Sequence, residues 1–255
     1  MLLAIDIGNT STKLGIFKDN ELLATWQIHT SIHQMADDYA SVILNLLHHQ
    51  GLEATDIKNI VLCSVVPQLV TTYEQIGQRY FQISPLVVGA GVKTGVSILM
   101  DNPREVGSDR IVDAAAAHHL YGGPVIIVDL GTATTFDTVS EEGDYIGGAI
   151  APGITSAAES LFTTTAMLPS VGLTRPERTI GTNTIAAMQS GLVFGYVGLV
   201  EGIINRIQKE LGEKTKVVAT GGYAELIAGE TSVIDVVNPD LTLIGLRLIY
   251  LMNKA

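Results

Sequence analysis

Two hydrophobic patterns alternate along this chain. Short unbroken apolar runs bounded by Gly, Pro or Asp predict buried strands, and apolar positions recurring every three or four residues predict amphipathic helices. The first half opens with a strand over 2–7, a second over 13–18 and a third over 21–29 that contains Trp26. Lys18-Asp19-Asn20-Glu21 joins the last two, and its Asp and Asn suit a hairpin turn. Met35, Tyr39, Val42, Ile43, Leu46 and Leu47 predict a helix over 35–49. Residues 60–66 read as a buried strand stopped by Pro67, 68–80 as a helix and 85–88 as a short strand. After an alanine-rich helix over 111–120 the order returns. Strands are expected over 124–129, 134–140 and 145–150, then a long helix over 183–211 and the strand Lys216–Thr220. This order, twice over, predicts an α/β protein with a mixed sheet flanked by helices in each half.

The repetition extends to the residues. Leu3-Ala4-Ile5-Asp6-Ile7-Gly8-Asn9-Thr10-Ser11-Thr12-Lys13 returns as Ile126-Ile127-Val128-Asp129-Leu130-Gly131-Thr132-Ala133-Thr134-Thr135, with Asp129 123 residues after Asp6. Each copy is an apolar strand broken by one Asp, a Gly that permits a tight turn, and a cluster of small hydroxyls. A duplication of half the chain predicts two similar domains facing each other across a cleft. The turns suit phosphate oxygens, through N–H groups and hydroxyls, and carboxylates suit the accompanying cations. The dinucleotide fingerprint fits worse, because the 89–95 glycine run has the wrong spacing and opens no helix. A P-loop also fails, since Gly8 to Lys13 is one residue short.

Charge narrows the partners. A net charge of −11 and a pI near 4.9 argue against nucleic-acid binding. The single cysteine, Cys63, excludes an internal disulfide framework, suits a reducing cytosol and reads as a buried core residue. Residues 179–200 carry no charge over 22 positions, long enough to span a bilayer, but their polar residues and glycines suit a buried helix better. No membrane and no zinc site are expected.

Several residues could carry chemistry. Asp6 reads as a Mg²⁺ ligand, held through water, with Gly8, Asn9 and Thr10 presenting N–H groups to phosphate and Lys13 adding a point charge. The plainer alternative is an Asp capping its own turn. Asp129 could bind a cation or orient a nucleophile. Thr132 and Thr134 offer phosphate-side hydroxyls. Asp101-Asn102-Pro103-Arg104-Glu105-Val106-Gly107-Ser108-Asp109-Arg110 precedes a helix; Ser108 and Asp109 suit an N-cap, yet a carboxylate there could also accept a substrate proton beside an arginine. Gly221 and Gly222 follow a strand and are expected to open a helix; they could let the backbone approach an adenine ring, or simply make a tight strand-to-helix turn. Gly191, Gly195 and Gly198 interrupt the long helix, which predicts close approach of another helix, from this chain or a second subunit.

Together these phrases resemble the type III pantothenate kinases. The resemblance rests on Asp6-Ile7-Gly8-Asn9-Thr10 with Lys13, Asn102-Pro103 leading to Gly107-Ser108-Asp109-Arg110, and Asp129-Leu130-Gly131-Thr132. It extends through Gly147-Gly148-Ala149-Ile150-Ala151-Pro152-Gly153, Gly181-Thr182-Asn183-Thr184 and Thr220-Gly221-Gly222. It implies two ribonuclease-H-like domains, 1–115 and 116–255, with the ATP cleft between them and the last helix free to pack back on the first. It also implies a cytoplasmic homodimer that phosphorylates pantothenate from ATP to 4′-phosphopantothenate, the first step of coenzyme A synthesis. Asp109 would be the general base. Met100, Gly107, Ser108, Asp109, Arg110 and Thr184 match substrate positions, Thr184 at the dimer interface. Asp6, Ile7, Gly8, Asn9, Thr10, Ser11, Thr12, Lys13 and Thr132 match ATP positions. Asp129 would hold a monovalent cation, K⁺ or NH₄⁺, which the family requires besides Mg²⁺. At Met100 the family commonly has a Tyr that walls the substrate pocket, and at Ser108 alanine is more usual. Another small-molecule kinase, or a nucleotide-dependent switch, would use many of the same residues. Intact Asp109 and Arg110 favour an enzyme.

Overall fold

The structure is a computed structural model that describes residues 1–254. The chain divides into two compact units. The first comprises Met1–Val96, Asp101–Ala116 and the stretch from Leu241; the second comprises Ser97–Met100 and Ala117–Asp240.

In the first unit β1 (Leu2–Ile7) pairs antiparallel with β2 (Ser11–Lys18), which pairs with β3 (Glu21–His29). On its other side β1 runs parallel to β4 (Asn59–Ser64), and β4 to β5 (Leu86–Val87). Alternation along the strands assigns the two faces. Leu3, Ile5, Ile7, Leu14 and Ile16 pack with Tyr39, Ile43 and Leu47 of α1 (Ala36–His49) and with Leu69, Tyr73 and Ile76 of α2 (Pro67–Ile76). Leu2, Ala4, Phe17, Val61 and Cys63 pack on the opposite face. There they meet Val112 and Ala115 of α3 (Ser108–Tyr121) and Leu243, Leu246 and Ile249 of α7 (Leu241–Asn253). An added Cβ on Gly245 would lie 2.2 Å from Val112 O, so the glycine permits a tight crossing of α7 over α3. With both faces covered, β1 reads as a continuous apolar run, as expected for a buried strand.

The second unit repeats the sheet. Its order is β10 (Val236–Val237), β9 (Lys216–Thr220), β6 (Val125–Leu130), β7 (Ala133–Val139) and β8 (Tyr145–Pro152), with the same parallel and antiparallel pairings as the first. Ile126, Val128, Leu130 and Phe136 pack against α5 (Thr184–Leu211), with Ile154 of α4 (Ile154–Thr164) and Ile227 of α6 (Ala224–Ala228) completing that core. The Asn183 side chain caps α5 by accepting the Ala186 N–H at 2.9 Å, and Gly212 ends it in the left-handed region. By length and composition α5 could cross a membrane; here Leu192, Val200 and Ile204 are core residues.

Several element bounds shift by a few residues from the sequence expectation, and some departures have a local cause. The helix expected over 68–80 is α-helical only to Ile76 and widens into a π-type turn over Gly77–Phe81. An added Cβ on Gly77 would meet Pro85 Cγ at 2.7 Å and Ile83 O at 2.8 Å, so the chain doubles back tightly there. The second strand begins at Ser11, two residues early, because Gly8 N–H closes the turn onto Ser11 O at 3.1 Å. Helix α4, outside the predicted elements, follows Pro152-Gly153, whereas α6 opens after Gly221-Gly222 as expected.

Candidate active site

The repeated phrase forms a β-turn-β in each unit, but the two turns differ. Ile7 pairs with Thr12 across a four-residue turn, whereas Leu130 pairs with Thr134 across three residues. In consequence Lys13 stands opposite Asp6, while Thr135 stands opposite Asp129. Only the first copy places a cation beside its aspartate in the strand register.

Asp6 is the last residue of β1 on the face that α3 and α7 cover. Desolvation is the larger cause, and the neighbouring Asp109 carboxylate the next, that pushes its carboxyl from 3.8 to about 7. The Cys63 thiol and Lys13 act the other way. Cys63 is fully buried, opposite Asp6 in the parallel register, and its Sγ donates to Asp6 Oδ1 at 3.4 Å. Burial and then the Asp6, Asp109 and Asp113 carboxylates push this thiol well above its ordinary range, so it remains a donor. Ile7 and Thr12 are fully buried, and Thr12 Oγ1 bonds Thr30 Oγ1 at 2.9 Å. Their side chains belong to the core rather than to a ligand surface.

Asp109 sits in the first turn of α3. An added Cβ on Gly107 would come within 2.4 Å of Asp109 Oδ1, and the same oxygen accepts the Arg110 N–H at 2.9 Å. The carboxylate therefore folds back over Gly107. The Ser108 hydroxyl takes the Ser64 N–H and donates to Ser64 O, both at 3.2 Å, tying the start of α3 to the end of β4. Asp113, one helical turn after Asp109, is buried and adds to the negative field at Cys63. Sequence reading missed Cys63 as a neighbour of Asp6 and Asp113 as a neighbour of Cys63. Their positions, a residue in register with Asp6 and a carboxylate four residues after Asp109, were the available signals.

In the second unit an added Cβ on Gly221, at φ +91°, would fall 2.4 Å from Asp129 Oδ1 and 2.6 Å from Leu130 C. One on Gly131 would lie 3.3 Å from Asp129 Oδ1. Asp129 is thus wedged between two glycine turns, and Gly221 is required by the protein itself; Gly222 is open on its Cβ side. The Ser156 hydroxyl donates to Thr132 O at 3.2 Å. Thr134 is fully buried, so its hydroxyl cannot be the phosphate-side donor expected of it. Met100 Sδ covers Gly147 of β8, 3.3 Å from where a Cβ would stand. Thr184 opens α5 and lines a groove of about 1290 Å³ together with Tyr196, Gly191 and Gly195. Among the described residues nothing lies within 4 Å of a Cβ added to Gly191, Gly195 or Gly198, so no helix described in this chain explains these glycines.

Two similar mixed sheets, each with an Asp-x-Gly turn at the end of its central strand, define an α/β protein built from a repeated unit. Solved structures agree on the fold. The chain matches the activator of the 2-hydroxyisocaproyl-CoA dehydratase from Clostridium difficile, solved with ADPNP, at TM-score 0.53 and 14% identity over 99% of this chain and 94% of that one. It matches the inorganic polyphosphate/ATP-glucomannokinase of Arthrobacter sp. at TM-score 0.51 and 13% identity over 98% of each. The sequence profile of the type III pantothenate kinases matches residues 2–206. A Dehalococcoides mccartyi relative named type III pantothenate kinase is 58% identical over 254 residues, covering 100% of this chain and 98% of its own. This chain belongs to the type III pantothenate kinase family.

Proposed function

We infer that the chain phosphorylates the 4′-hydroxyl of pantothenate from ATP, with Asp109 as general base. The observation that carries this assignment is the Asp109 carboxylate itself, folded over Gly107 at a helix start tied to β4 and close enough to Asp6 to raise its pKa. In the reaction the pantothenate hydroxyl oxygen attacks the γ-phosphorus and its O–H proton passes to Asp109. The bond from the γ-phosphorus to the β,γ-bridging oxygen breaks, and ADP leaves. Arg110 offers a guanidinium for the acidic substrate or the transferring phosphoryl group. Gly107, Ser108, Met100 and Thr184 are the remaining substrate positions; the Met100 thioether replaces contact area but not a phenolic hydrogen bond.

Gly8 to Ser11 and Lys13 cradle the triphosphate. The donor chemistry at Asp6 fits Mg²⁺: a carboxylate destabilised by burial and by Asp109 gains from an added cation. Asp129, wedged between glycine turns, supplies a hard oxygen donor suited to K⁺ or NH₄⁺. These cations, when bound, neutralise charge on the phosphates. Thr132 serves the phosphate side, and the open face of Gly222, next to Gly221, leaves room for the adenine. The exposed glycine face of α5 fits a second copy of the chain, making a cytoplasmic homodimer with no nucleic-acid or membrane partner. ADP release with pantothenate, compared in K⁺ and Na⁺, tests this reading. Strong turnover in K⁺ and little in Na⁺ is expected; no pantothenate-dependent ADP release, or full activity in Na⁺ alone, would overturn it.

A further inference from the structure

Cys63, Asp6, Lys13 and Gln27 form one row across the sheet of the first unit, one residue each from β4, β1, β2 and β3. Directly opposed residues share a face of the sheet, and so does Ser11, two positions before Lys13. Gln27 is exposed, yet its Nε2 donates to Ser11 Oγ over 2.7 Å. We propose that Gln27 is a positioning residue for the nucleotide: by occupying an acceptor site on the Ser11 hydroxyl, it leaves the hydroxyl proton to be donated to a triphosphate oxygen. This rests on the reading of Gly8 to Lys13 as the phosphate cradle.

A serine hydroxyl has one proton and two acceptor positions, and left alone it commonly bonds to nearby backbone. An amide N–H can only donate, so the Gln27 contact fixes the direction of the Ser11 bond without consuming its proton. Among the described residues Ser11 Oγ has no second hydrogen-bond partner. Thr30, just past the end of β3, holds the adjoining positions as well. Thr30 N–H donates to Thr10 O at 3.0 Å, and Thr30 Oγ1 bonds Thr12 Oγ1 at 2.9 Å. The edge strand and the residue after it thereby grip Thr10, Ser11 and Thr12 in succession, and Gln27 is the member of that grip whose side chain reaches a hydroxyl on the same face as Asp6 and Lys13.

Calorimetric binding of a β,γ-imido ATP analogue with Mg²⁺ tests the proposal in wild type, Gln27→Leu, Gln27→Glu, Ser11→Ala and the Gln27→Leu/Ser11→Ala pair. Gln27→Leu and Ser11→Ala should each weaken binding about 3- to 10-fold, the range of one ordinary hydrogen bond. The double variant should bind no worse than Ser11→Ala. Gln27→Glu should weaken binding further, because a carboxylate takes the serine proton and repels phosphate. The KM for pantothenate should be unchanged in Gln27→Leu. Wild-type affinity in Gln27→Leu, or additive losses in the pair, overturns the proposal while a weakened Ser11→Ala keeps the cradle reading. Absence of analogue binding in the wild type overturns both.

Discussion

Asp6 and Asp109, from strand β1 and helix α3, sit close enough that the Asp109 carboxylate adds to burial in raising the Asp6 carboxyl to about 7. Burial and a neighbouring like charge both disfavour the ionised carboxylate, the character of a place that gains from an added cation. The cost has a measurable sign. An aspartate with a raised native pKa binds its proton more tightly folded than unfolded. Its contribution to stability is therefore full below about pH 4, falls as pH rises through about 7 and is level above that. Thermal unfolding of the ligand-free protein should show wild type losing stability relative to Asp6→Asn between pH 5 and 8. A difference that is flat with pH would refute the shift.

Gly107 is where a single methyl would reach the Asp109 carboxylate. A Cβ there would overlap Asp109 Oδ1, so Gly107→Ala must displace the proposed base. Misplacing a catalytic group by about 1 Å can cost roughly 10²-fold in rate. We expect kcat for pantothenate to fall by about that factor while ATP-analogue affinity changes little. A variant with wild-type kcat would show that the carboxylate can work from another position.

Ser108 has a structural task that its place in the substrate segment conceals. Its hydroxyl bridges both backbone groups of Ser64, so Ser108→Ala should lower unfolding free energy by about 1 kcal/mol. Denaturant titration would detect this, and an unchanged midpoint would mean that water replaces the tie without loss.

The α5 glycines test the assembly. Gly195 lines the groove, and a side chain there meets nothing of its own chain. Gly195→Leu should leave the isolated fold intact but weaken self-association by roughly tenfold or more. Sedimentation velocity would show a dimer for wild type and a shift toward monomer for the variant. A monomeric wild type would contradict the interface.

Much of this arrangement was legible in the chain because it follows local rules. The duplicated β-turn-β, the mixed sheets and the long α5 follow from apolar runs, turn glycines and helical spacing. What escaped was set by register and packing. Whether Thr134 faces ligand or core depends on a turn one residue shorter than its counterpart, and a single-residue shift reverses every side chain beyond it. Cys63 read as plain core, and it is buried; its thiol meets Asp6 only because β4 pairs parallel to β1 in one register. Helix α4 lacked a strong cap or a long periodic run, so little in its sequence announced it.

The most direct measurement is the pair of numbers for Asp109→Asn: turnover of pantothenate in K⁺ buffer, and affinity for the Mg²⁺-bound ATP analogue. Removing a general base costs about 10²- to 10⁴-fold in rate. The account predicts a loss of that size in kcat, with analogue affinity kept within a few-fold of wild type. Near-normal turnover in Asp109→Asn would contradict it.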